Sequence, residues 1–344
     1  MEKRTTIYDI ARKLGISTAT VNRALTGKPK VKAETRALVL KTAAEMGFKP
    51  NALARSLARG RLRLAVIGFT SFPEFHDQFL QGAMNAGEEL QDYNVEVVYY
   101  GYNQGATNTE EAEAFLDDTI YAIAEGGFDG VLALARDSKS FGVFKERGIC
   151  LATAVNDINA EMRRFHVCYN GFVAGRIAAE LIYRFMPDHS LPVAIASGFE
   201  GMGVHDRMVS GFKEQMKTMP LNLYTICYNK DNEEIAYENT LRLLEECPNL
   251  GAIYVNSYNS ANVIRAVREK GLAGKILLIT SDINDELRSC IADGTVAASI
   301  FQNQHEQGRL GVHKLFNLLV NNEDLPDTHT IKPRIIFNSN LSIF

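Results

Sequence analysis

A chain of 344 residues exceeds one ordinary hydrophobic core and suits two or three domains. With 46% apolar and 23% charged residues it has the balance of a globular protein, which excludes disordered, collagen-like and fibrous chains. The net charge of −4 hides a split: residues 1–60 carry +9 and the remainder −13. A basic segment on an acidic body points to a polyanion partner for that segment. No apolar run reaches the roughly 18 residues that span a bilayer, and no apolar stretch follows the charged first residues. The expectation is a cytoplasmic protein with neither signal peptide nor membrane span. Five cysteines, at positions 150, 168, 227, 247 and 290, form no C-x-x-C pair and read as buried thiols. No metal and no cofactor are expected.

The basic segment is not a solvated tail. Ile7, Ile10, Ala11 and Leu14 recur at helical spacing behind Thr6, a good N-cap, and Gly15 suits a left-handed stop. Ser17 then caps a second helix over 18–25. Ala11, Gly15 and Val21 supply the small contact, the turn and the lock of a helix-turn-helix. A third helix over about 33–46 is expected to close the core with Ala37, Val39, Leu40, Ala43 and Ala44. Thr18, Ala19, Asn22 and Arg23 occupy the outward face of the second helix, where a recognition helix reads base edges. Asn51 caps a short stretch, 52–59, too brief to be a stable helix alone, with Leu53 and Leu57 on one face.

At this point the sequence resembles the lactose-repressor (LacI/GalR) family of bacterial transcription factors. The likeness is carried by Thr6, Tyr8, Asp9 and Ala11, by the run Gly15, Ser17, Thr20, Val21, Asn22 and Arg23, by Val31, Thr35 and Arg36, and by Pro50, Asn51, Leu53, Ala54, Leu57 and Ala58. It implies that 51–61 is a hinge helix that folds against DNA. Leu53 would meet its dimer mate and Leu57 would wedge into the minor groove. Thr6, Tyr8, Ser17 and Asn51 match backbone-contact positions. Asn22 stands where the family usually has serine.

From residue 64 onward β-rich runs (64–69, 95–100, 130–134, 149–154, then 193–197, 223–228, 252–255, 276–280, 296–300) alternate with helical ones (78–93, 108–125, 138–147, then 207–217, 233–246, 260–269, 285–292). Near-continuous apolar strands with crossover helices mean doubly wound parallel sheets. The 187–192 stretch reads as the crossing between two lobes. Stretches 170–178, 205–212, 279–282 and 297–302 resemble the type I periplasmic-binding-protein fold that the family uses as its effector domain. The expected organisation is a helix-turn-helix domain at 1–50, a hinge at 51–61, an N-lobe of 62–187 and 303–326, and a C-lobe of 188–302 and 327–344.

Strand ends together with this resemblance nominate an effector pocket between the lobes. Phe72, Phe75 and His76 follow the first strand, where relatives stack aromatics on sugars. Asn156 and Asn170 replace the usual Asp, whereas Asp282 and Gln302 keep the family residues. Arg207 stands four residues before Gly211, where relatives place arginine three or five before, and Ser257 and Tyr258 replace an Asn-Asp pair. The function implied is a homodimeric, ligand-responsive regulator, usually a repressor. Its partners are a palindromic double-stranded operator and a sugar-like small molecule. No heptad extension follows residue 341, so no coiled-coil tetramer is expected. The rivals are a ligand-binding protein without a DNA role and an NAD-linked oxidoreductase built on the glycine-rich 197–203 turn. That turn lacks the G-x-G-x-x-G spacing, and no hydrolase, P-loop or zinc-protease motif is present, so the chain is not expected to be an enzyme.

Overall fold

The computed structural model describes residues 5–25, 29–48, 56, 59–69, 73–102, 109–134, 137–201 and 203–344. Asn51, Leu53 and Leu57 of the expected hinge, and Phe72, lie outside the described residues. The chain divides into two compact units, Met1–Ala58 and Arg59–Phe344.

In the first unit, α1 (Ile7–Leu14) starts from a reciprocal cap. The Thr6 hydroxyl accepts from the Asp9 N–H (3.3 Å), and the Asp9 carboxylate accepts from the Thr6 N–H (2.9 Å). Gly15, at φ 65°, ends the helix. The Ser17 hydroxyl accepts from the Thr20 N–H (3.1 Å) at the head of α2 (Thr18–Leu25), and α3 (Ala33–Glu45) follows. Ile10, Ala11, Val21, Ala24, Val39 and Ala43 form the core. The expected inward face of α3 needs correction: Ala37, Leu40 and Ala44 are exposed, Leu40 at 49%. Val39, Thr42 and Ala43 define the buried stripe at i, i+3 and i+4. Leu40 and Ala44 each sit one residue, about 100°, further round, and Ala37 lies two residues back.

The second unit carries two six-stranded sheets. The first has β1 (Leu62–Phe69), β2 (Val95–Tyr102), β3 (Gly130–Ala133), β4 (Cys150–Ala154), β5 (Phe165–Tyr169) and β11 (Thr328–Ile331), in the order β11-β5-β4-β3-β1-β2. The second has β6 (Pro192–Ser197), β7 (Asn222–Tyr228), β8 (Ala252–Val255), β9 (Leu277–Ser281), β10 (Ala298–Phe301) and β12 (Arg334–Ile336), in the order β12-β10-β9-β8-β6-β7. All pairings are parallel except β10 with β12, which is antiparallel. Helices α4 (Pro73–Glu89), α5 (Thr109–Glu125) and α6 (Gly142–Glu146) connect strands of the first sheet. Helices α7 (Gly171–Phe185), α8 (Gly203–Gln215), α9 (Glu233–Glu246), α10 (Ser260–Glu269) and α11 (Asp285–Ala292) belong to the second, and α12 (Gln304–Asn321) returns to the first.

Two lobe boundaries move. The chain leaves the first sheet at Asn170, not at 187–192, because α7 packs on α8 and against β9 of the second sheet. It leaves again after Ile331, not at 326, because β11 pairs with β5. Between these, α12 packs on α4 and over β3, β4 and β5, so the middle crossing falls at Gln302 and Asn303.

Each lobe is pinned by a helix pair in backbone contact. A Cβ at Gly175 would run into the Met208 carbonyl, and one at Gly211 into that of Phe172, across α7 and α8. In the first lobe Gly82 and Gly308 play the same part, against His305 and Phe79, across α4 and α12. Gly211→Ala should therefore destabilise the protein by about 1–3 kcal/mol or more. Gly142→Ala, whose added Cβ meets nothing within 4 Å in α6, should leave the melting temperature unchanged or raise it. Thermal melts of the two variants check this pair of outcomes.

Candidate functional sites

On α2, Val21 and Ala24 are buried while Ala19, Asn22 and Arg23 are exposed, with Thr18 half-buried at the helix start. Helical geometry thus separates a packed face from an outward row of one methyl, one amide and one guanidinium. Tyr8, 71% exposed, and the exposed Thr6 and Ser17 stand at the helix starts. The first-turn hydroxyls of Thr6 and Ser17 are engaged as caps, which fixes where these helix ends present their backbone.

In the second unit the carboxyl ends of both sheets face one cleft. Its wide mouth, about 450 Å³, lies between the end of β4, β5 and the first turn of α8. Asn156, His166, Cys168 and Arg207 line it. Its narrow floor, about 70 Å³, shares Val155, Asn156 and Val204 with the mouth. Phe69 and Phe75 from the first lobe meet Asp231, Asn256, Ser257, Tyr258, Asp282 and Gln302, which stand at the ends of four strands of the second.

Seven of the ten nominated effector residues therefore converge: Phe75, Asn156, Arg207, Ser257, Tyr258, Asp282 and Gln302. Two do not line these cavities. His76 is buried behind β1, its ring hydrogen-bonded to the Tyr99 hydroxyl and the Asp77 carboxylate, so it is a satisfied packing group. Asn170 is the N-cap of α7, its side-chain oxygen accepting from the Val173 N–H (3.1 Å). The register around Arg207 is also defined. His205 and Met208 face the floor, Arg207 faces the mouth, and Asp206 turns back to accept from the Gly201 N–H (3.3 Å).

Asp282 is not a helix cap; Asn284 fills that role, accepting from the Leu287 N–H (2.8 Å). Asp282 instead accepts from the Gln302 N–H (3.1 Å) and from its side-chain amide (2.7 Å). Burial pushes its carboxyl up to about 6, against the pull of the hydrogen bonds from Gln302 and Gln304. Backbone strain clusters here. Val155, Asp231 and Asp282 all hold positive φ (64°, 49° and 64°), and Val155 is β-branched, for which this conformation is a true outlier.

Three features escaped sequence reasoning. Asn256 is 1% exposed, and neither its side-chain oxygen nor its nitrogen has a hydrogen-bond partner. It immediately follows β8, one residue before the Ser257 and Tyr258 pair that marked this strand end. Asp231 sits beyond β7 in a turn, its Oδ1 buried and unpaired. Third, Arg163, its side chain 3% exposed, binds Asp157 and Asp327 at 2.7 and 2.9 Å beneath His166, tying the start of β11 to the wall of the mouth. Across the cleft, the Tyr258 hydroxyl donates to Glu74 on α4 (2.8 Å), and the Asn284 amide donates to the same oxygen (3.4 Å).

The glycine-rich turn after β6 is explained by packing. A Cβ at Gly198 would collide with His205 and Asp231, and Gly201 adopts φ 79°. Among the described residues no cluster of His, Cys, Asp and Glu could hold a metal, and no helix is long and apolar enough to cross a membrane.

A helix-turn-helix head and a two-lobed binding body on one chain define a ligand-binding regulator class. Residues 6–51 match the family "Bacterial regulatory proteins, lacI family", and residues 64–323 match the periplasmic binding protein domain. The chain belongs to the LacI family of bacterial regulatory proteins. It is 24% identical to catabolite control protein A of Priestia megaterium over 275 residues, 78% of each chain. It is 22% identical to the HTH-type transcriptional regulator pepR1 of Lactobacillus delbrueckii subsp. lactis over 341 residues, 95% of each. Among solved structures, GanP, a glucose-galactose binding protein from Geobacillus stearothermophilus, superposes with a TM-score of 0.70 at 20% identity, covering 82% of this chain and 99% of its own. A periplasmic solute binding protein from Actinobacillus succinogenes 130z with bound D-allose gives 0.72 at 17%, covering 83% and 100%.

The wall of the mouth carries a pH signature. Burial depresses His166 from 6.5 to about 4, outweighing the pull of Asp157. As pH falls from 6.5 to 4 the unfolded chain takes up a proton that the native imidazole refuses. Stability present above pH 6.5 is thereby lost, by up to about 3 kcal/mol, and the loss levels off below 4. Urea denaturation across this range should show the wild type losing stability more steeply than His166→Gln.

Proposed function

We propose that this protein is a homodimeric cytoplasmic repressor whose hold on a palindromic operator is set by a sugar-like molecule in the cleft. The reading rests on one pairing of features. An outward Ala19, Asn22 and Arg23 row stands on a head whose core is already complete, and the same chain carries a cleft with an unpartnered Asn256 amide. One such head has few side chains for base edges, so two half-sites are needed for useful specificity. Arg23 supplies the fork that pairs with guanine O6 and N7, while Thr18, Ala19 and Asn22 complete the reading row and Thr6, Tyr8 and Ser17 set its register on the phosphates. The 51–61 segment, with Asn51, Leu53 and Leu57, is assigned to the operator centre.

In the cleft, Asp282, Gln302, Asn256, Asn156 and Ser257 offer the alternating donors and acceptors that hydroxyls require, and Phe75 offers an apolar ring face. The sugar-binding names of the two structural neighbours support the same ligand class. A ligand that meets both lobes favours one lobe arrangement and shifts operator affinity by its differential binding, about 1–3 kcal/mol per site.

Band-shift titrations with DNA from upstream of the protein's own gene, with and without a panel of sugars, polyols and sugar phosphates, test the reading. Arg23→Ala should cost about 1–3 kcal/mol and flatten the preference for operator over mutated half-sites; unchanged selectivity would remove its base-reading role. Asp282→Ala should abolish the effector's shift of operator affinity, and a normal shift in that variant would place the effector elsewhere.

A further inference from the structure

The floor of the cleft has an unusual balance of charge. Two carboxylates, Asp231 and Asp282, face a space of about 70 Å³, and among the described residues no lysine or arginine lines it. The one other titratable group able to offset them is His205. Its Nδ1 accepts from the Phe199 N–H (3.1 Å), and burial pushes the imidazole toward its neutral form. Arg207 lines the mouth instead, where its guanidinium donates to the Cys168 sulfur at 4.0 Å.

Asp231 keeps Oδ1 buried without a hydrogen-bond partner, although the Tyr258 N–H and His205 face its carboxyl and burial raises it, and both the oxygen and the nitrogen of the Asn256 amide beside the same space are unpartnered. Burial of unpaired acceptors is costly, and that cost is removed by a ligand bringing N–H donors and positive charge. The wall from the first lobe carries two aromatic rings beside Val155 and Asn156, while Val204 and Met208 add aliphatic surface. Phe69 and Phe75 stack at 6.3 Å and 17°, and ring faces attract cations as well as apolar surface. This space is the smaller of the two and continues into the mouth through Val155, Asn156 and Val204, so one ligand can place a head group here and the rest of itself in the mouth.

We infer that the floor is an ammonium subsite, and that the effector is a polyhydroxylated amine whose charged nitrogen sits between Asp231 and Asp282 against Phe75. Acids and phosphates are excluded from the floor by the same two carboxylates. The inference rests on the reading of the cleft as an effector site and narrows its ligand.

Calorimetry and thermal shift on the full-length protein compare matched pairs: D-glucosamine with D-glucose, D-galactosamine with D-galactose, and ethanolamine with ethylene glycol. N-acetyl-D-glucosamine serves as the charge-free control. The expected result is a preference of about tenfold for the amine in at least one pair, lost on N-acetylation. Asp231→Asn, its fold verified by its melting temperature, should reduce the preference to parity. Equal or tighter binding of the alcohol in every pair overturns the ammonium subsite while leaving a sugar effector standing. A preference that survives Asp231→Asn also overturns it, as does a flat response to all seven compounds.

Discussion

Asp282 and Gln302 clasp the ends of two neighbouring strands at a point where the chain passes between lobes. The Gln302 backbone and side chain both donate to one carboxylate, and the Gln302 carbonyl in turn accepts from Gln307 in α12 (3.1 Å). The other two crossings are held as closely: the Asn170 N–H donates to the Ile331 carbonyl (2.9 Å) where β5 and β11 leave the first sheet together. Three covalent links therefore join the lobes, at Asn170, at Gln302 and Asn303, and after Ile331. Asp282 therefore both lines the cleft and holds the residue at one of the crossings.

That coupling requires lobes that move as bodies, and the glycine contacts make them so. Where Gly82 meets the His305 carbonyl and Gly175 meets that of Met208, helices approach at backbone distance and no side chain can flex between them. Both helix pairs begin close to the crossings, since α7 starts at Gly171 and α12 at Gln304. Stiffness therefore runs from the crossings outward, while the strained residues Val155, Asp231 and Asp282 lie on the facing strand ends. Strain is maintained where surrounding structure over-determines it, and here it aims side chains into the cleft.

The parts of this architecture legible in the sequence are those where a single local rule dominates. Caps at Thr6 and Ser17 and the glycine stop at Gly15 define the first helices, and unbroken apolar runs such as that of β1 mark buried parallel strands. β5 was obscured because His166 interrupts its apolar run, although the imidazole is buried beside Thr153 (2.9 Å). α7 and α12 were obscured because Gly175, Gly308 and Gly311 read as helix breakers in isolation; only the partner helix reveals why they are there. β11 and β12 are short edge strands with no continuous apolar run. In the cleft, strand ends together with the family resemblance nominate Asp282, Gln302, Asn156 and Tyr258, and the structure brings these four to the cavity lining. The same reading nominates His76 and Asn170, but neither strand position nor resemblance says whether a side chain is already satisfied, as these two are by Tyr99 and by the Val173 N–H. Asp231 had no local signal, because a polar turn after β7 looks like solvent-facing loop until Gly198 and His205 of the same lobe pack against it.

Tyr258 joins recognition to motion. It lines the floor, and its hydroxyl bonds to Glu74 on the opposite lobe, so the protein already holds a lobe-to-lobe contact of its own. Burial and the adjacent Glu74 carboxylate both keep that phenol protonated, which preserves it as a donor. A ligand that leaves this bond intact adds its own bridges to it and favours the closed cleft. One that draws the phenol toward itself removes a bridge as it forms another and gains less from closure. The sign and size of the response therefore depend on where the occupant leaves Tyr258, and tight binding alone moves nothing unless the two lobe arrangements are bound unequally.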